Sequence, residues 1–166
     1  MIRLANRRTG ILAIAVAFGL SGAASALMCS AGESTPVWII YLVGAPFAVV
    51  SALFFADSPR LVPVLLVLNS AAWVIAYLRL FLDIRIPFLG MGLAGFLGAV
   101  CVTVSTGISR RNLLNLGKIF IVSVVGIAAA MPFCYLGPYN YQWLMYAGFV
   151  VWQVVIGASL YLLSAR

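Results

Sequence analysis

The chain has 166 residues, of which 65% are hydrophobic and only 8% are charged, and its mean hydropathy is +1.17. A soluble domain needs a charged surface that this composition does not supply, so a soluble fold is excluded. The formal net charge of +7 comes from basic residues in short connections rather than on one helix face, which favours membrane topology over nucleic-acid binding. A membrane helix takes roughly 20 apolar residues, so the length allows at most about six or seven spans and a single domain.

Six apolar segments follow one another along the chain, each bounded by charged or turn-forming residues. They are residues 10–29, 37–56, 61–82, 86–106, 117–135 and 141–163. The apolar runs are continuous and do not alternate with polar residues, which predicts helices rather than the strands of a membrane barrel. The connections are short, so consecutive helices are expected to be antiparallel neighbours. The sequence therefore predicts an all-α integral membrane protein, a compact six-helix transmembrane bundle formed by residues 1–166 as one domain.

The placement of lysine and arginine predicts the orientation in the membrane. If both termini are cytoplasmic, eight of the ten basic residues fall on the cytoplasmic side, and only Arg79 and Arg85 fall outside. The eight are Arg3, Arg7, Arg8, Arg60, Arg110, Arg111, Lys118 and Arg166. The inverted topology would reverse this ratio, so cytoplasmic termini are predicted. The short connections and abundant glycine and alanine suit a multi-pass protein of a bacterial inner membrane.

The first segment has a second interpretation. Arg7 and Arg8 precede an apolar stretch, as in the basic region of a secretory signal. Ala24, Ser25 and Ala26 then match an A-x-A cleavage site. Removal of residues 1–26 would leave five helices and an external N-terminus, and this five-helix alternative stands beside the six-helix prediction.

The residue types present exclude several chemistries. The chain has no histidine, which removes imidazole ligation of haem, zinc and copper as well as histidine acid–base catalysis. The three acidic residues, Glu33, Asp57 and Asp83, lie in connections or at segment ends, whereas ion-coupled transporters usually hold a carboxylate within the membrane. The three cysteines form no C-x-x-C motif. We therefore predict a non-enzymatic protein with no cofactor and no metal site.

Asn69 and Gln153 are the strongest amides within the apolar segments, and Trp73 lies one helical turn after Asn69. At 1.5 Å per residue, Asn69 would lie about 12 Å and Gln153 about 15 Å from the cytoplasmic ends of their segments. An unpaired amide in hydrocarbon is costly, so both are expected to face the interior, hydrogen-bonded to each other or to a shared partner or solute. An interhelical hydrogen bond is the simpler interpretation, and a solute-binding site is the alternative.

The external end of the predicted bundle carries three further features. Arg79 and Asp83 are four residues apart, which favours an interfacial ion pair, with an anion or lipid-headgroup contact as the functional alternative. The aromatic residues within 135–146 are typical of an interfacial belt, with a partner-binding surface as the alternative. Cys29 and Cys134 both end outward-running segments, so a disulfide between them is predicted if their Cα atoms come within about 7 Å.

Two patterns bear on helix packing. Gly90, Ala94 and Gly98 recur at four-residue intervals, a small-residue stripe that favours close packing within the molecule over dimerisation. Pro46 lies in the middle of the second segment, where it is expected to kink the helix.

Two functions remain open after these exclusions. The first is a small integral subunit or accessory protein that works through helix contacts within a larger membrane assembly or a homo-oligomer. The second is a transporter or channel component for a neutral or hydrophobic solute. The small size and the lack of ionisable residues within the segments favour the first slightly. Besides such partners, only the lipid bilayer is expected to contact the protein.

Overall fold

A computed structural model describes residues 7–30, 42–82, 87–135 and 142–164 of the chain. These residues form six α-helices and two short 3-10 helices, and no strand occurs among them, which confirms the all-helical prediction. The α-helices are α1 (Arg7–Ser30), α2 (Ala45–Phe55), α3 (Leu61–Leu82), α4 (Pro87–Ser109), α5 (Leu116–Ala130) and α6 (Gln142–Ser164). The 3-10 helices are Arg111–Leu114, before α5, and Met131–Tyr135, after it.

Four helical stretches are long and apolar enough to cross a membrane. They are Thr9–Cys29, Leu89–Ser109, Leu116–Phe133 and Tyr146–Ser164, with mean hydropathies from 1.7 to 2.1. Ala45–Phe55 and Leu61–Ala76 are apolar but shorter. Residues 37–41 of the second predicted segment lie outside the described residues. The four long stretches identify the chain as a membrane protein.

Helices that follow one another in the chain are neighbours in the structure, and the last helix packs against the first. Each helix contacts the next one, and α6 returns to contact α1, which is the most extensive helix pair in the described part of the chain. Phe18 of α1 lies at the centre of the core, with its ring 5.2 Å from that of Phe47 and 6.3 Å from that of Phe55. Large apolar side chains also point outward, where Leu20 is 69% and Phe120 is 67% exposed. Such an apolar outer surface fits a hydrocarbon environment better than water.

Small residues allow the closest helix contacts. A Cβ on Gly22 of α1 would lie 2.7 Å from the Cα of Val150, so α1 and α6 touch through their backbones. Gly95 of α4 lies equally close to Gly126 of α5. Gly95 lies beside the stripe of Gly90, Ala94 and Gly98, whose packing within the molecule rather than in a dimer stays a prediction.

Pro46 does not kink the interior of a described helix. It occupies the first turn of α2, which begins at Ala45 after a turn at Val43 and Gly44. Proline is tolerated in the first turn because the amide hydrogen it lacks would have no intrahelical acceptor there. The kink expected at Pro46 is therefore not seen, and α2 begins there instead.

Polar contacts fasten one end of the molecule. Asp57, in the connection between α2 and α3, forms an ion pair with Arg110 after α4, with an O–N distance of 3.0 Å. Lys118 at the start of α5 donates to the Leu163 carbonyl at the end of α6 at 2.6 Å, and Asn112 donates to the Ser164 carbonyl at 2.8 Å. These contacts bring the α2–α3 connection, the α4–α5 connection and the C-terminal end of α6 to the same end of the molecule.

Candidate functional site

A cavity of about 270 Å³ lies between the helices. Residues from all six α-helices and from the second 3-10 helix line it, and most of them are apolar. They are Cys29, Phe47, Asn69, Ala72, Trp73, Ala76, Met91, Ala94, Gly95, Gly98, Val102, Ala130, Phe133, Phe149 and Trp152. Helical periodicity explains this set: on α3 and on α4 the lining residues recur at intervals of three and four, so each helix presents one face to the cavity.

Five aromatic side chains form one part of the lining, and they pack on one another. The rings of Phe47 and Trp152 are 5.7 Å apart. The ring of Phe149 is 5.2 Å from that of Trp73 and 5.2 Å from that of Phe133. Both sets of contacts fall within the range of favourable aromatic pairs, so the rings support one another around the space.

Small residues form the other part of the lining and create the space. They are Ala72 and Ala76 on α3, Ala94, Gly95 and Gly98 on α4, and Ala130 on α5. A Cβ on Gly98 would lie 3.3 Å from Cζ2 of Trp152 and 3.4 Å from the Cβ of Ala76. The indole of Trp152 therefore reaches the small-residue face of α4, and larger residues on this face would fill the cavity.

Asn69 is the one amide or hydroxyl side chain among the described residues that line the cavity. It is 1% exposed, and its Nδ2 donates to the hydroxyl of Ser51 on α2 at 2.9 Å. The hydroxyl of Ser105 on α4 donates to Asn69 Oδ1. Ser51 and Ser105 are themselves buried, so this network connects α2, α3 and α4 away from the surface. The two serine hydroxyls thus satisfy part of the hydrogen-bonding capacity of the Asn69 amide in an apolar environment.

Gln153 belongs to a different network. Its Nε2 donates to the hydroxyl of Ser25 at 2.9 Å, and the hydroxyl of Ser21 donates to its Oε1. Ser25 in turn donates to the Val43 carbonyl at 2.7 Å, in the turn that precedes α2. A serine from a neighbouring helix thus satisfies a carbonyl that precedes the helix start, as is common at irregular backbone within membranes.

The two amides are buried in the interior as expected, but they are not bonded to each other or to a shared residue. The physical reason is helix adjacency. Asn69 lies on α3, which packs against α2 and α4, whereas Gln153 lies on α6, which packs against α1 and α5. Matched depth in the membrane therefore does not make two residues neighbours.

The other predicted site residues divide into two groups. Trp73 lines the cavity beside Asn69, as does Cys29. The side chain of Arg79, the residue Asp83 and the side chain of Cys134 lie outside the described part of the structure. Cys29 is described with a free thiol. The ion pair predicted for Arg79 and Asp83 and the disulfide predicted for Cys29 and Cys134 stay predictions.

Several lining residues escaped the sequence interpretation. Phe47 and Trp152 are ordinary apolar residues in their segments, and nothing in their spacing distinguishes them from lipid-facing ones. The available signal is the coincidence of small residues on two consecutive segments, at Ala72 and Ala76 and at Ala94 and Gly98. Small residues on facing helices produce either close packing or a space, and only the arrangement of the larger neighbours decides which.

The lining carries no acidic or basic side chain among the described residues. A charged group placed against these described residues would lose its hydration without gaining a counter-ion from them, which is strongly unfavourable. The described residues also contain no group of three or more histidine, cysteine or acidic residues that could hold a metal ion. The described part of the lining is apolar apart from the amide of Asn69.

No protein family, curated protein or solved structure matches the chain. The cavity and its lining residues are therefore the basis for a functional proposal.

Proposed function

We propose that this protein binds a small, neutral, largely apolar molecule in the cavity between its helices, as a transporter or channel component for such a solute. The observation that carries the proposal is the cavity itself, about 270 Å³ in volume and lined by aromatic and small apolar residues around Asn69. An apolar cavity of about 150 Å³ in a soluble protein is large enough to bind benzene, so this one has room for a substituted ring or a molecule of similar size.

The proposed setting is a bacterial inner membrane, crossed by a six-helix bundle with both termini in the cytoplasm. Positive residues favour the cytoplasmic side. Arg60, Arg110 and Arg111 lie in the two connections that the Asp57–Arg110 ion pair holds at one end of the molecule, and Lys118 lies at the start of α5 beside them. A transporter of neutral solutes needs a site between the helices rather than a charged residue within the membrane. The lining of the cavity agrees with that requirement.

The accessory-subunit hypothesis is the second candidate. It is supported by the lack of acidic and basic side chains among the described lining residues, since none of these offers a means of coupling movement to an ion gradient. In both candidates the protein is non-catalytic. Under the accessory hypothesis the cavity is a packing defect, and the protein should be extracted by mild detergent in a stable complex with other membrane proteins.

Fluorine NMR of fluorobenzene tests the binding proposal. The protein in phosphatidylcholine nanodiscs is compared with empty nanodiscs and with the variant Ala94→Phe, whose new ring should occupy the cavity. We expect saturation transfer from the protein to fluorobenzene in the native chain and its loss in Ala94→Phe, with both proteins equally abundant and helical. Equal transfer in the native chain and in Ala94→Phe would contradict the proposal. Native mass spectrometry of the same extracts reports a hetero-complex if the accessory role is the correct one.

A further inference from the structure

We propose that the ligand of this cavity is a flat, uncharged ring compound carrying one hydroxyl or carbonyl group, and that Asn69 binds that group. The inference rests on the proposed function, because it specifies the class of molecule that the same cavity binds. Three properties of the described lining residues support it: the aromatic side chains, the remaining hydrogen-bonding capacity of Asn69, and their lack of charge.

The aromatic side chains favour a ring over an aliphatic chain. Phe47 and Trp152 form one pair, and Trp73 packs on Phe149 in a second. A ligand ring placed beside them can adopt the offset or edge-to-face arrangements that aromatic rings prefer, with centroids about 4.5–7 Å apart. Gly98 on the small-residue face lies against the indole of Trp152, so the space beside the rings is bounded by residues without bulky side chains.

Asn69 supplies a polar contact that its serine partners do not exhaust. An amide side chain has two N–H donors and two acceptor lone pairs. Ser51 accepts from one N–H, and Ser105 donates to one lone pair. One N–H and one lone pair remain on a side chain that is 1% exposed and lines the cavity. Because a ligand hydroxyl or carbonyl group can use this remaining N–H or lone pair, it is preferred over a hydrocarbon of the same shape.

Gln153 provides the matched control. It is a buried amide with two serine partners, as Asn69 is, but it does not line the cavity. Replacing either amide by leucine removes one buried polar group and two hydrogen bonds. Only the replacement at Asn69 should therefore change which molecules the cavity binds.

The test compares fluorobenzene, 4-fluorophenol and fluorocyclohexane by fluorine NMR in phosphatidylcholine nanodiscs, each corrected for its partition into empty nanodiscs. We expect 4-fluorophenol to bind about 3- to 10-fold more tightly than fluorobenzene, and fluorobenzene more tightly than fluorocyclohexane. In Asn69→Leu the preference for the phenol should disappear while fluorobenzene still binds, and in Gln153→Leu the preference should persist.

The outcomes separate this inference from the proposed function. Equal affinity for the phenol and fluorobenzene in the native chain, or a preference that survives Asn69→Leu, would overturn the inference while leaving cavity binding intact. Failure of all three probes to distinguish the native chain from Ala94→Phe would instead overturn the proposed function. A measurement on the native protein keeps the test decisive if Asn69→Leu does not fold. With 15N-labelled asparagine, 4-fluorophenol but not fluorobenzene should shift the side-chain amide signal of Asn69, and an unchanged signal would refute the contact.

Discussion

Gly95 of α4 and Gly126 of α5 are in reciprocal backbone contact. A Cβ on Gly95 would lie 2.5 Å from the carbonyl oxygen of Gly126, and a Cβ on Gly126 would lie 2.7 Å from the carbonyl oxygen of Gly95. Neither position has room for a side chain, because the obstructing atoms belong to the backbone and cannot rotate away. This contact holds α4 at the distance from α5 that leaves one of its faces free to line the cavity.

Gly95→Ala should therefore destabilise the protein, whereas Gly92→Ala on the same helix should not. The alanine methyl at position 95 would overlap the α5 backbone and force the helices apart, at a cost of about 1–3 kcal/mol. A Cβ on Gly92 meets only side-chain atoms, at 3.7 Å from Met131 and 3.8 Å from Ile127, which is ordinary contact. Thermal unfolding in detergent measures the difference. An equal shift for both variants would contradict the assigned helix contact.

Gly44→Ala should also destabilise the protein, because a Cβ there would lie 2.5 Å from the Cβ and Cγ of Trp73. Removing the whole side chain, including its Cβ, in the double variant Gly44→Ala, Trp73→Gly should recover part of the loss relative to the two single changes. Pro46→Ala is the control, since Pro46 lies in the first turn of α2 and should be nearly neutral. A larger loss for Pro46→Ala than for Gly44→Ala would show that the α2 start is misassigned.

The two amide networks should behave independently. Asn69→Leu and Gln153→Leu share no hydrogen-bond partner, so their effects on the free energy of unfolding should add within about 0.5 kcal/mol. Interhelical hydrogen bonds in membrane proteins are worth about 0.6 kcal/mol on average, so each single change should be modest.

A second cycle within one network provides the contrast. Asn69→Leu combined with Ser105→Ala should cost less than the sum of the separate changes, because both remove the same hydrogen bond. Double-mutant cycles monitored by thermal or denaturant unfolding measure both coupling energies, that of Asn69 with Gln153 and that of Asn69 with Ser105. Strong coupling between Asn69 and Gln153 would indicate a bridging group between the networks.

Reporter fusions should place one end of the molecule in the cytoplasm. Fusions after Arg60, at Arg111 and at the C-terminus are expected to give cytoplasmic signals, since the contacts of Asp57 with Arg110 and of Lys118 with the α6 terminus bring these three regions together. A periplasmic signal at the C-terminus would refute the topology. An external N-terminus accompanied by loss of residues 1–26 would instead favour signal cleavage and five helices.

The helical class of this protein follows from its sequence. Continuous apolar runs within a 166-residue chain leave helices as the structures that satisfy their own backbone hydrogen bonds in hydrocarbon. The same reasoning predicted burial of Asn69 and Gln153, since an amide exposed to lipid has no partner. The start of α3 at Leu61 also agrees with the sequence, because Pro59 and Arg60 mark the preceding connection.

The tertiary structure decided which residues meet. Asn69 is bonded to Ser51 and Ser105, and Gln153 to Ser21 and Ser25, because a residue's partner depends on helix neighbours and on helix rotation as well as on depth. The hydrophobic composition predicts well how deep a residue lies in the membrane, but it predicts poorly how each helix is rotated about its own axis. The reason is that apolar residues cover both the lipid-facing and the interior faces of these helices. For the same reason Gly95 and Gly98 both line the cavity, but only Gly95 is also in backbone contact with α5.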